Sequence, residues 1–140
     1  MEKNQGQAQP LLLVCEDLKK ALAWRDALEL GGLATELETN GMVGLDRALS
    51  GRFRLILLDQ RLASIDCVGV YRRIRNYTPL PVLALPGPAA ASGPSSLLDA
   101  LADPWLARQI DPEDFPDGPL SEADLLRLVR QRLARADSRD

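Results

Sequence analysis

Three short, uninterrupted apolar runs constrain the fold of this 140-residue chain more than any other feature. They are LLLVC at 11–15, LILL at 55–58 and PVLAL at 81–85. Such runs are far too short to span a bilayer and are typical of strands buried on both faces of a parallel sheet. Weaker patterns at 34–38 and 105–110 predict two further strands, so we expect five strands in all.

Helical patterns lie between these strands. Apolar residues recur at helical spacing at 18–30, 43–49, 67–74 and 121–135. In the first helix we expect an inner face of Leu18, Ala21, Leu22 and Leu28. Alternating strands and helices without hairpin signals predict an α/β fold, a doubly wound parallel sheet with helices on both faces. Ligands of such folds gather at the carboxyl ends of the strands.

Composition excludes several functional classes. The chain has no histidine, which removes histidine metal sites and Ser–His–Asp triads. Cys15 and Cys67 form no CxxC pair, so we expect no zinc and interpret both as reduced cytoplasmic thiols. A net charge of −3 without a basic stretch argues against direct nucleic-acid binding. No segment predicts membrane insertion.

We predict one domain with short extensions. Residues 1–10 are polar and are expected to be a flexible lead-in, 11–136 form the domain, and 137–140 are a charged tail. Within the domain, 86–96 (PGPAAASGPSS) predicts a long loop. Residues 111–118 form an acidic connection that contains proline.

Three motifs resemble the receiver domains of bacterial response regulators, the CheY-like family. They are LLLVCED, LILLDQRLASID and TPLPVLALPG, and the likeness runs from about residue 11 to at least 108. The resemblance implies a flavodoxin-like strand order of 2-1-3-4-5. It also implies that Asp59, directly after LILL, is the phospho-accepting residue. The alternative interpretation is a strand-ending aspartate that caps a turn.

The same resemblance implies a Mg²⁺ site formed by an acidic pair, Asp59 and the backbone carbonyl of Arg61. Counting back from Gly32, which resembles the glycine closing the family's first helix, makes the pair Cys15 and Glu16. A shift of one residue makes it Glu16 and Asp17. In the first register Cys15 is a poor ligand for a hard cation and is otherwise a buried structural thiol. Glu16 remains a candidate ligand, with Asp17 nearby, but the reduced carboxylate set argues against Mg²⁺.

Two groups that receive the phosphoryl group in the family are altered. Pro86 stands where the family has Thr or Ser, and proline offers neither a hydroxyl nor a backbone N–H. The fifth-strand lysine is also missing, because the only lysines are Lys3, Lys19 and Lys20.

One alignment places Arg108 at the lysine position, and a competing one places residues 118–119 there with no cation. In the first alignment, Arg108 would pair with Asp59 or with a phosphate. The alternative is that Arg108 is an exposed surface arginine. Trp105 falls at the family's switch aromatic position, or is a core or interface aromatic.

These substitutions predict a degenerate receiver. We expect a non-enzymatic signalling module of a two-component or phosphorelay pathway, acting through protein–protein contacts with impaired or absent phosphorylation. Its partner would be a kinase, a phosphotransfer protein, an effector or a second copy, bound at the face that includes 111–118. The alternative is a working regulator that uses Asp59 and Mg²⁺. A small α/β enzyme or nucleotide binder is disfavoured because GxGxxG and GxxxxGK[ST] are absent.

Overall fold

A computed structural model describes residues 9–86, 102–116 and 118–137. Within these residues, strands and helices alternate up to residue 85, and the regular elements after it are helical. The strands are β1 (Leu11–Val14), β2 (Thr35–Glu38), β3 (Leu55–Asp59) and β4 (Val82–Leu85). The α-helices are α1 (Leu18–Leu30), α2 (Gly41–Ala48), α3 (Cys67–Tyr77), α4 (Pro104–Ala107) and α5 (Glu122–Asp137).

The four strands form one parallel sheet in the order β2-β1-β3-β4. The three runs that the sequence marked as buried strands, β1, β3 and β4, are buried along their whole length. Val14 pairs with Leu58, and Asp59 pairs with Leu85. The carboxyl ends of these three strands therefore meet at one edge of the sheet, where Asp59 lies.

The sheet separates two apolar layers, because successive strand residues point to opposite faces. One layer packs β-strand residues such as Leu12 and Val14 against α2 and α3. The other packs Leu11 and Leu13 against α1 and α5. The predicted doubly wound arrangement, with helices on both faces, is confirmed. No helix in the part of the chain that the structure describes is long and apolar enough to cross a membrane.

The strand predicted at 105–110 is wrong. Residues 104–107 form the short helix α4, because Asp103 caps it by accepting hydrogen bonds from the backbone N–H groups of Trp105 and Leu106. Pro104 occupies the first turn, where its missing N–H costs nothing. A 3₁₀ turn at Pro112–Asp114 follows. Within the described residues the sheet has four strands, in the order expected for the first four.

Side chains occupy the outer edge of β4, where a fifth strand would pair. Gln60 Nε2 donates to the carbonyl of Ala84 at 2.9 Å, and the Arg132 guanidinium donates to that of Val82 at 3.5 Å. These contacts satisfy backbone acceptors that would otherwise need a strand.

The inner face of α1 differs in part from expectation. In α1 the buried residues are Ala21, Trp24 and Leu28, while Leu18 is 56% exposed and Leu22 is 36% exposed. Trp24 was absent from the predicted face. The predicted lead-in at 1–10 and the loop at 86–96 lie, apart from residues 9, 10 and 86, outside the described residues, and so does most of the tail.

Candidate functional site

Asp59 lies at the carboxyl end of β3 and is only 2% exposed. One carboxylate oxygen, Oδ1, accepts a hydrogen bond from the backbone N–H of Arg61 at 3.0 Å. The other, Oδ2, accepts a hydrogen bond from Cys15 Sγ at 3.3 Å and lies 2.9 Å from Lys20 Nζ. Both oxygens of the predicted phospho-acceptor therefore have partners inside the protein.

Cys15 follows β1 and reaches Asp59 because the parallel register places the ends of β1 and β3 side by side. Burial, together with the negative charge of Asp59, raises the pKa of the Cys15 thiol to about 12. The sulfur is thus a protonated donor at neutral pH. Of the two registers considered for the acidic pair, the structure brings Cys15, and not Asp17, against Asp59.

Lys20 supplies a cation to this site that the sequence analysis missed. The Lys20 side chain is 14% exposed, and its ammonium lies 5.2 Å from the centroid of the buried Trp24 ring. Asp17 caps α1 by accepting a hydrogen bond from the backbone N–H of Lys20 at 3.3 Å. The available signal was the i, i+4 spacing of Lys20 and Trp24, which places both on one helix face.

The carboxylate of Glu16 points to the neighbouring loop and to α2. It accepts hydrogen bonds from the backbone N–H groups of Gly41 at 3.1 Å, Ala63 at 2.6 Å and Ser64 at 2.9 Å, and from the Ser64 hydroxyl. Burial alone would raise the pKa of Glu16, but these hydrogen bonds outweigh it and lower the pKa to about 2. Glu16 is therefore an ionised anchor for two segments of backbone, at Gly41 and at 63–64.

Three further residues were predicted to differ from those usual in the family's site, namely Pro86, Trp105 and Arg108. Pro86 is buried directly after β4, beside the strand residue that pairs with Asp59. Trp105 is 61% exposed, so it is not a core aromatic, and its ring stacks with the Arg72 guanidinium at 5.0 Å. Arg108 is exposed at the end of α4, and no hydrogen bond or ion pair between it and Asp59 is found in the described residues.

The chain returns to the neighbourhood of the site further along, at Pro116. Its carbonyl accepts a hydrogen bond at 3.2 Å from Gln60, the residue after Asp59. This contact places Pro116 close to the carboxyl end of β3. Which residue stands at the family's lysine position stays a prediction.

The donor set does not fit a Mg²⁺ ion, which takes several oxygen ligands in near-octahedral geometry. Asp59 is paired with an ammonium, Glu16 is engaged by four donors, and Asp17 is an exposed helix cap. Over 9–86, 102–116 and 118–137, no group of three or more His, Cys, Asp or Glu side chains is arranged to hold a metal ion.

Curated proteins similar to this chain are response regulators and related transcriptional regulators. No protein-family model matches the chain. The response regulator ArlR of Staphylococcus epidermidis is 31% identical over 106 residues, which cover 74% of this chain and 48% of that protein. The uncharacterized transcriptional regulatory protein YkoG of Bacillus subtilis is 28% identical over 124 residues, or 88% of this chain and 50% of that protein. The chain thus spans about half the length of these relatives.

Solved structures similar to this chain include receiver domains. A CheY-like response regulator receiver domain protein from Methanospirillum hungatei JF-1 superposes with a TM-score of 0.72 at 18% identity, covering 94% of this chain and 98% of that one. The receiver domain of the sensor histidine kinase PA1611 from Pseudomonas aeruginosa PAO1 gives 0.67 at 22% identity, with 90% and 98% covered. That structure holds a magnesium ion coordinated in its active site cleft. The predicted doubly wound, flavodoxin-like fold is confirmed, with four parallel strands rather than five within the described residues.

Proposed function

We propose that this chain signals through protein–protein contacts with impaired or absent phosphorylation of Asp59. It is a CheY-like receiver domain in fold and resembles response regulators in sequence. The proposed role is that of a module in a two-component or phosphorelay pathway, in the cytoplasm, rather than that of an enzyme. The proposed partner is a signalling protein or a second copy of the chain, and neither nucleic acid nor a membrane.

The observation that carries this proposal is the engagement of both Asp59 oxygens. An aspartate that accepts a phosphoryl group must attack phosphorus in line while cations neutralise the phosphoryl oxygens. Here Oδ2 is held by Lys20 and Cys15, and Oδ1 by the Arg61 N–H, in a carboxylate that is 2% exposed. Attack would require breaking these contacts and admitting a bulky anion into the pocket.

Among the described residues, the groups around Asp59 also offer few donors that could bind a phosphoryl group. A switch converts the new charge into a conformational change through donors that bind the phosphoryl oxygens. Pro86 offers no donor at the position after β4. Glu16 is committed to backbone donors of residues 41, 63 and 64 and is not available as a metal ligand.

Contacts at the face that carries α3 and α4 support a partner-binding role. Arg72 donates two hydrogen bonds to the Gln109 side chain, at 3.2 and 3.1 Å, and stacks on the exposed ring of Trp105. Tryptophan and arginine are the residues most enriched at the energetic centres of protein interfaces. Because Gln109 and Trp105 already hold the Arg72 guanidinium, this side chain loses little conformational entropy when a partner binds. This face is where we propose that a partner docks.

The proposal is tested by incubating the chain with Mg²⁺ and acetyl phosphate and measuring the intact mass. We expect no stoichiometric gain of a phosphoryl group, whereas a receiver with a complete acidic pair gains one under the same conditions. Asp59→Asn is the matched control, because it keeps the size of the side chain and removes the acceptor. A gain of one phosphoryl group in the wild-type chain that is absent in Asp59→Asn would establish the alternative, a working regulator that uses Asp59 and Mg²⁺.

A further inference from the structure

We infer that Lys20 is a resident cation that takes the place of a divalent metal ion on Asp59 and excludes that ion from the pocket. The inference rests on the proposed function and deepens it, because it names the group that makes the site independent of metal. It also implies that the ion pair between Lys20 and Asp59 holds α1 against β3 in one fixed arrangement.

The first support is the geometry of the pair. Lys20 Nζ lies 2.9 Å from Asp59 Oδ2, and the two side chains are 14% and 2% exposed. A charge pair this well shielded from water is screened little by salt. The ammonium also lies over the Trp24 ring, 5.2 Å from its centroid, so an anion and an aromatic face both attract the cation.

The second support is that Lys20 breaks a local rule of helix composition. Lys19 and Lys20 lie in the first turn of α1, and no acidic residue lies there. Cations at a helix N-terminus are unfavourable because the helix dipole is positive at that end. Local rules are broken chiefly where the site gains something in return. For Lys20 the gain is the pair with Asp59, whereas Lys19 is exposed on the same turn.

The third support is the competition between charges. A metal ion on Asp59 would have to share Oδ2 with the ammonium, and two cations a few ångströms apart in a buried pocket repel each other strongly. Glu16, the acid next to Cys15 in sequence, is bonded to the backbone of Gly41, Ala63 and Ser64 and offers no compensating charge toward the pocket.

The test uses Mn²⁺, a paramagnetic ion that accepts the same oxygen ligands as Mg²⁺ and quenches nearby tryptophan fluorescence. The chain has two tryptophans, so a Trp105→Phe background leaves Trp24 as the only reporter. We expect no saturable quenching in this background, and quenching to appear in Lys20→Met with Cys15→Asp, which removes the ammonium and restores a second carboxylate. The apparent affinity should rise by roughly tenfold or more. Excess Mg²⁺ should reverse the quenching.

Lys19→Met with Cys15→Asp is the matched control, because it removes an exposed lysine from the same helical turn. It should stay unquenched. Equal quenching in the parent and in the Lys20 variant, or no quenching in the Lys20 variant, would overturn the inference. Neither result would decide the proposed function, because the phosphorylation assay tests that function separately on the wild-type chain.

A stability measurement guards against a variant that fails to fold. Lys20→Met alone should lower the urea midpoint of unfolding. Mg²⁺ should restore part of this loss, whereas NaCl at the same ionic strength should not. Lys20→Met with Asp59→Asn removes both charges and should unfold at a higher urea concentration than Lys20→Met. An unchanged midpoint in Lys20→Met would contradict the role of Lys20 directly.

Discussion

The hydroxyl of Tyr71 on α3 donates a hydrogen bond to the buried carboxylate of Asp114 at 2.5 Å. Arg132 on α5 approaches the other carboxylate oxygen at 2.6 Å. Phe115, the next residue, packs edge-on against the Tyr71 ring. The turn at Pro112–Asp114 is therefore held between two helices, beside the edge of β4 where the sequence predicted a fifth strand.

Removing the cation from this cluster should destabilise the fold. Arg132→Met leaves the charge of Asp114 buried and without its ion-pair partner, because the two side chains are 11% and 6% exposed. We expect the free energy of unfolding to fall by about 3 kcal/mol, measured by urea titration. Arg132→Met with Asp114→Asn should recover part of the loss. Arg135→Met, on the same helix but 60% exposed, should cost less than about 1 kcal/mol, and an equal loss in both variants would contradict this account.

Tyr71 should make stability sensitive to alkaline pH. Burial and the hydrogen bond to Asp114 raise the pKa of the Tyr71 phenol well above its ordinary value. Its contribution is therefore complete below about pH 10 and declines above that pH, where the unfolded chain releases the phenolic proton first. Tyr71→Phe should cost about 2 kcal/mol near neutral pH, and the difference from wild type should shrink as pH rises past 10. A difference that stays constant across this range would refute the prediction.

The tyrosinate absorbance of Tyr71 provides a second measurement. The chain has two tyrosines, and Tyr77 is 77% exposed. In a Tyr77→Phe background the absorbance reports Tyr71 alone. We expect it to appear only together with loss of the far-ultraviolet circular dichroism.

Two helical glycines should respond to alanine in opposite directions. A Cβ atom at Gly44 on α2 would lie 2.6 Å from Val14 Cγ1 on β1, so the helix or the strand would have to shift. Overpacking of this kind costs about 1–3 kcal/mol. At Gly69 on α3 the nearest atoms lie 3.8 Å away, and alanine should stabilise the helix by up to about 1 kcal/mol. Thermal unfolding of both variants tests the contrast, and a loss in Gly69→Ala would contradict it.

Most of the sheet could be predicted because its strands are continuous apolar runs. β1, β3 and β4 require burial on both faces, and this requirement is visible in sequence without any tertiary information. The predicted fifth strand failed for a local reason, since Asp103 and Pro104 form a helix start that outweighs the apolar pattern of the residues after them. The edge of β4 is then satisfied by Gln60 and Arg132, whose partners are distant in sequence.

The candidate site was harder to predict than the sheet. Asp59 and Cys15 were identified because the motifs LILLDQRLASID and LLLVCED resemble those of the family and place both residues at the ends of predicted strands. Lys20 was missed because its partner is 39 positions away, and only the packing of α1 on the sheet brings the two together. Glu16 was identified as a potential ligand, but a spacing pattern does not reveal whether a carboxylate faces a pocket or the backbone of a neighbouring loop.

Glu16 should make stability sensitive to acid if its carboxylate is an anchor for backbone N–H groups. The pKa of Glu16 is lowered from 4.5 to about 2, so its contribution is complete above pH 4.5 and is lost as pH falls toward 2. Glu16→Gln should cost about 1 kcal/mol near neutral pH, because the neutral amide is a weaker acceptor for the N–H groups of Gly41, Ala63 and Ser64, and solvent near these contacts reduces their strength. Urea titrations from neutral to acid pH should show the gap between wild type and variant closing over that range. Asp17→Asn keeps the oxygen that caps α1 and should match wild type throughout, so an equal loss in both variants would show that Glu16 has no special anchoring role.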